Sequence, residues 1–273
     1  MGQPVFISMK TIKKYLTIFK LLVSTRLSAD LSFRVSFLAT IAGSFCFIVL
    51  YIATLVLLMP YVNFGPWGKQ EMWLFLGVFL IFCYTVFYLF WRGLWHFPEN
   101  VRNGRLDFYL TKPLDSQFFV SIAGGGLHNL CAMIFGIILV AWSFQNLGLS
   151  FNVVNFISFI ITLILAILDF YSLAFFFVVL NLRFSYLGEA AYEIWDFQSF
   201  SRYPTDAFNN VPLIGYLIAI PFSVIITIPA NTLLLKDLRI MEILVFFLAS
   251  LIFMFLVRKF WFHELKHYSS ASS

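Results

Sequence analysis

The sequence predicts an all-α polytopic membrane protein. It should have six transmembrane helices, an amino-terminal amphipathic helix lying in the interface, and a short cytoplasmic helix between spans two and three. Three observations lead there. Apolar residues make up 61% of the 273 and charged residues only 11%, against about 25% charged in an ordinary soluble domain. Uncharged runs of spanning length recur along the chain. The cations gather at the ends of those runs, so the net charge of +5 and pI near 9.1 report topology rather than a nucleic-acid partner.

The first element is a helix over 7–29. At about 100° per residue, Ile12, Leu16, Phe19 and Val23 share one face, and Lys10, Lys13, Lys14, Thr17, Lys20 and Ser24 fill the opposite arc. Arg26 falls on the apolar side and has to snorkel. No signal peptide is evident, so the first spans are expected to stay in place.

Val35 to Gly68 carries no charge and gives span one, 35–59. Met72 to Trp91 is uncharged as well and gives span two, 72–95. The polar stretch 96–117 follows, HFPENVRNGRLDFYLTKPLDSQ. Pro98 suits a first helical position and Glu99 the positive end of the helix dipole. Gly104 can take the left-handed conformation that closes such a helix after Arg102. An extended segment from Phe108 to Lys112 then runs to Pro113, and Asp115 or Ser116 can cap the next helix.

Phe118 to Leu168 has no Asp, Glu, Lys or Arg, too long a run for one span. Gln145, Asn146, Asn152 and Asn155 mark a hairpin between span three, 118–144, and span four, 154–180. Gly124, Gly125 and Gly126 at the start of span three permit close helix approach or a bend. Arg183 to Asp206 is polar again, with Glu189, Glu193, Asp196 and Arg202. Span five, 208–235, contains Pro221 and Pro229, so a kink or a broken, partly re-entrant helix is expected. A turn with Lys236, Asp237 and Arg239 leads to span six, 243–261.

Fifteen of the 18 cations, Arg202 among them, fall on the inner side if the amino terminus is inside; only Lys69, Lys236 and Arg239 fall outside. Both termini are therefore expected to be cytoplasmic. Trp67, Trp73 and Trp142 at outer ends and Trp91, Trp95, Trp195 and Trp261 at inner ends agree. Cys46, Cys83 and Cys131 all lie in apolar runs and read as core residues rather than disulfides or zinc ligands.

Candidate chemistry is sparse. His263, Glu264 and His267 match H-E-x-x-H, two histidines four apart on a helix with a glutamate to activate water, which would suit a membrane zinc metalloprotease. No Asp, Glu or His follows to complete a ligand set, and a basic, wet helix end accounts for the same residues. Asp169, the acidic residue inside a span, fits either a substrate path or gate, or a structural carboxyl bonded to a neighbouring span. Pro221 and Pro229 are the other substrate-path candidates. Gly65, Gly68 and Lys69 do not have the spacing of a nucleotide-binding loop, and no nucleophile, base and orienter set occurs in the loops.

Asn103 to Leu114, NGRLDFYLTKPL, resembles the G-x-L-D-x-x-L-x-x-P-[LV] signature of an ABC-2-type permease family. Trp261, Leu265, Lys266, Tyr268, Ser270, Ala271 and Ser273 resemble its closing segment, and Ser201 to Pro204 with Pro221, Phe222, Pro229 and Ala230 its fifth-span region. The resemblance covers essentially 1–273 as a single transmembrane domain of an ABC-2-type exporter. It implies two permease chains, the same or homologous, paired with two copies of a separate ATPase that binds the ATP and Mg, and no cofactor in this chain. The stretch 96–117 would then be a coupling helix, with Glu99, Asn100, Arg102, Gly104, Arg105, Leu106 and Asp107 meeting the ATPase. The implied function is ATP-driven export of a hydrophobic or amphipathic compound across a bacterial cytoplasmic (inner) membrane. A lipid or glycolipid floppase of the same architecture, using Arg92, Arg183 and Arg202, is the alternative within transport.

Overall fold

The computed structural model describes residues 9–62, 64–122, 126–184, 190–209, 211–234 and 240–268. All regular structure among them is helical: α1 (Met9–Ser32), α2 (Arg34–Leu58), α3 (Lys69–Val86), α4 (Arg92–Trp95), α5 (Phe97–Arg102), α6 (Leu106–Leu110), α7 (Ser116–Ser121), α8 (Leu127–Asn146), α9 (Val153–Arg183), α10 (Ala190–Phe197), α11 (Leu213–Leu233) and α12 (Ile240–Leu265). Among the described residues six helices are long and apolar enough to cross a membrane: α2, α3 with its continuation, α8, α9, α11 and α12. The protein is an all-α polytopic membrane protein.

The centre of the bundle is α3. Glu71 accepts the Gly68 backbone N–H at 2.9 Å and starts it, and Phe75, Phe79, Phe82 and Val86 are fully buried along it. It lies antiparallel to α8, with Trp73 against Trp142 at one end and Gly77 and Gly136 at the crossing, where an added Cβ on either would meet the other's carbonyl at 3.1 Å. A π-helical turn, Phe87–Trp91, joins α3 to α4 without a break.

Four features depart from the sequence expectation. The helix of span three does not begin at 118: α7 ends at extended Ile122 and α8 starts after Gly126. Glycine there costs helix stability and Gly126 takes the cap position; Gly124 and Gly125 lie outside the described residues. Residues 106–110 are the helix α6, not an extended segment, because Leu106 is buried and Asp107 occupies the first turn, where the helix dipole favours an acid. Arg26 does not snorkel but turns inward, its Nε 3.2 Å from Asp30 Oδ1. Tyr15 of the same helix packs edge-on against Phe118, ring centroids 4.7 Å apart.

The fourth departure concerns spans five and the segment before it. Helix α11 is continuous through both Pro221 and Pro229, so the break expected there does not occur. The segment before it is the one that enters the bundle. Helix α10 and two 3-10 turns, Gln198–Arg202 and Thr205–Phe208, insert among α3, α9 and α11. Trp195 meets Trp91 at 4.2 Å at one end of α3, whereas Tyr203 stacks on Phe64 and Trp67 Nε1 donates to Asp206 at 3.0 Å in the loop at the other end. Irregular backbone at that depth needs partners. Ser201 donates to the Phe222 carbonyl at 2.8 Å and Thr227 Oγ1 accepts from the Thr205 N–H at 3.2 Å.

Candidate functional site

The polar stretch is two short helices joined by a closed turn. Pro98 sits in the first turn of α5, and the helix ends in a full Schellman arrangement. The Arg105 N–H reaches the Asn100 carbonyl at 2.8 Å and the Gly104 N–H the Val101 carbonyl at 3.1 Å. That geometry requires φ of +66° at Gly104, which a side chain would strain. Phe97 and Leu106 are buried, which faces Glu99, Arg102 and Arg105 outward. Asn100 and Asp107 are half-buried between the two. His96 Nδ1 lies 3.6 Å from Glu99 Oε2.

Sequence reasoning missed Phe108. It is 57% exposed at the rim of the stretch, with Lys112 Nζ 4.1 Å from its ring centroid. A lone aromatic inside a polar run was the available signal.

The far side of the stretch is fixed by polar bonds. Asp115 caps α7 by accepting the Phe118 N–H at 3.0 Å, and its other oxygen takes Arg258 Nη2 at 2.6 Å. Arg258 Nη1 donates to Gln117 Oε1, and Gln117 Nε2 to the Tyr171 hydroxyl. Trp261 Nε1 donates to Ser116 Oγ at 3.0 Å. Tyr15 Oη accepts the Asp115 N–H at 2.9 Å, and Lys14 Nζ donates to the Pro113 carbonyl at 2.7 Å. Gly93 of α4 lies so close to α7 that a Cβ there would collide with the Ser121 carbonyl oxygen. The stretch therefore moves with α4, α9 and α12 rather than as a free loop.

A cavity of about 710 Å³ opens between α2 and α3 and reaches from His96, Arg92 and Arg26 to Arg202 in the bundle. Arg202 does not lie at the end of the bundle with Arg26 and Arg92. Its guanidinium lies 4.0 Å from the Tyr51 ring centroid and 6.0 Å from that of Phe79, deep along α3.

Asp169, Pro221 and Pro229 lie outside this cavity. Asp169 instead accepts from Ser250 Oγ of α12 at 2.8 Å, a helix-to-helix bond. Glu264 is buried and lies 3.6 Å from Arg183 Nη1. That turns it away from the exposed His263 and His267, whose ring centroids are 4.8 Å apart. Among the described residues no group of three His, Cys, Asp or Glu could hold a metal ion. The turn through Lys236, Asp237 and Arg239, Glu189 and the closing residues Ser270, Ala271 and Ser273 lie outside the described residues.

A comparison with curated proteins and one with solved structures each return no match. A family model described as "ABC-2 family transporter protein" matches residues 40–272, from within α2 through α12 and including the polar stretch. The chain therefore belongs to the ABC-2 family of transporter proteins.

Proposed function

We propose that this chain is the permease subunit of an ATP-driven exporter of a hydrophobic or amphipathic compound, driven through 96–117 by a separate ATPase. Family membership supports the permease role. The observation that carries the coupling role is the build of the stretch. A closed helix–turn–helix presents Glu99, Arg102, Arg105 and Phe108 to solvent while Phe97 on Trp261, Gly93 on Ser121 and the Arg258–Gln117–Tyr171 network tie it to α4, α9 and α12. Motion imposed on its outer face is delivered to α4, α9 and α12 through these contacts.

The partner ATPase, in two copies, binds the ATP and Mg and closes on hydrolysis-competent nucleotide. A second permease, identical or homologous, completes the path. The end of the bundle bearing the stretch faces the cytoplasm of a bacterial cell, with both termini there and the chain in the inner membrane; the cation distribution supports that orientation. A lipid or glycolipid floppase uses the same parts, and the arginines around the large cavity favour it as the second reading.

The test is purification of the tagged full chain from its native host in mild detergent, with mass spectrometry of what co-elutes. An ATPase subunit bearing a nucleotide-binding loop is expected. A chain that elutes alone, or only with copies of itself, overturns the coupling role.

A further inference from the structure

We propose that the cavity between α2 and α3 binds an amphipathic anion, a phosphate- or carboxylate-bearing headgroup on an apolar tail. The inference deepens the permease reading and rests on it for the word substrate. Three cations, Arg26, Arg92 and Arg202, line a single volume of about 710 Å³, a size suited to one small amphipath. Arg26 and Arg92 stand at one end of this volume, and Arg202 lies inside the bundle, where a cation is costly and marks a path or a ligand.

The donors there are also unspent. Gln198 Nε2 and Arg202 Nε are buried side-chain nitrogens with no hydrogen-bond partner, and both residues line this cavity. Both are donors, so the missing partner is an acceptor. The acids nearby do not offset them. Asp30 is taken up by Arg26 at 3.2 Å, and Asp196 is exposed at the rim. A cationic ligand would face the like charges of Arg92 and Arg202; an anion would meet both as opposite ones.

The remaining wall suits a tail. Phe47, Phe87 and Trp91 give an apolar face, and the rings of Tyr51 and Phe79 hold Arg202 in place without neutralising it. The π-helical turn at Phe87–Trp91 aims both aromatics at this wall. The headgroup sits among the arginines and the tail lies along α2.

The full chain, purified in dodecyl maltoside, would be titrated with dodecyl phosphate while following the fluorescence of Trp91 and Trp195, which line the cavity. Saturable binding is expected, weakened about tenfold or more for Arg202→Gln, the loss of one charge-assisted bond, and largely restored by Arg202→Lys. If Arg202→Gln does not fold, Arg92→Gln decides in the same way. Dodecyltrimethylammonium binding as tightly as the phosphate would overturn the proposal, as would wild-type affinity in the folded glutamine variants. Inorganic phosphate displacing the probe at equal concentration would assign the site to a free anion and overturn the amphipath. Failure here is separable from failure of the permease reading: binding is measured on the isolated chain, and ATPase co-purification of the same variants is read independently.

Discussion

Two segments of this protein look alike as sequence and differ completely as structure. Residues 96–117 and 190–208 are both polar interruptions between apolar runs, each with acids, arginines and aromatics. The first stays at the end of the bundle, shows Glu99, Arg102, Arg105 and Phe108 to solvent, and is held on its inner side by side-chain hydrogen bonds. The second enters the bundle, buries Trp195, Gln198 and Ser201, and is held by packed rings together with hydrogen bonds to α11. Polar residues in a membrane chain thus mark either an outer face or an inner path. Aromatic content separates them: Trp195, Phe197, Phe200, Tyr203 and Phe208 give the second segment the apolar surface it needs for insertion.

The contrast can be broken at either segment. The largest effect is expected from Gly104→Pro, which removes the N–H bonded to Val101 and forbids φ of +66°. The chain should still accumulate in the membrane, but ATPase co-purification should be lost outright. Gly93→Val should come next, since it forces α4 off the Ser121 carbonyl. A loss of about 1–3 kcal/mol, typical of overpacking, would be read as a lower aggregation temperature of the purified chain.

Arg258→Ala frees Asp115 and Gln117 together. Because Arg258 is 45% exposed, the cost should be about 1–2 kcal/mol rather than that of a buried pair. A double-mutant cycle with Asp115→Asn should recover most of it as coupling. The smallest effect should follow Trp67→Phe, which removes the bond to Asp206 but keeps the ring on Phe75. About 0.5–1.5 kcal/mol is expected, seen as faster proteolysis near residue 206 with ATPase binding unchanged.

The six spans were legible because lipid imposes length and apolarity on every spanning helix, and Asp115 as a cap and Gly104 as a turn because each has a local chemical reason. The exact start of α8 was not, since a run without charge carries no mark of where helix gives way at Gly126. The place of Arg202 was hidden for a different reason. Charge counting assigns a cation to the nearer surface, and only tertiary contact with Tyr51 and Phe79 pulls it inward. Asp169 was visible as an anomaly, and the structure gives its neighbour, Ser250, which lies 81 positions away.

The most direct test replaces Phe108 and, separately, Tyr203 with a photocrosslinking benzoylphenylalanine in the native host. The account predicts that position 108 captures the ATPase, and that position 203 yields only crosslinks within the chain, to the loop around Phe64. Capture of the ATPase from 203, or from neither position while the complex still co-purifies, would contradict it.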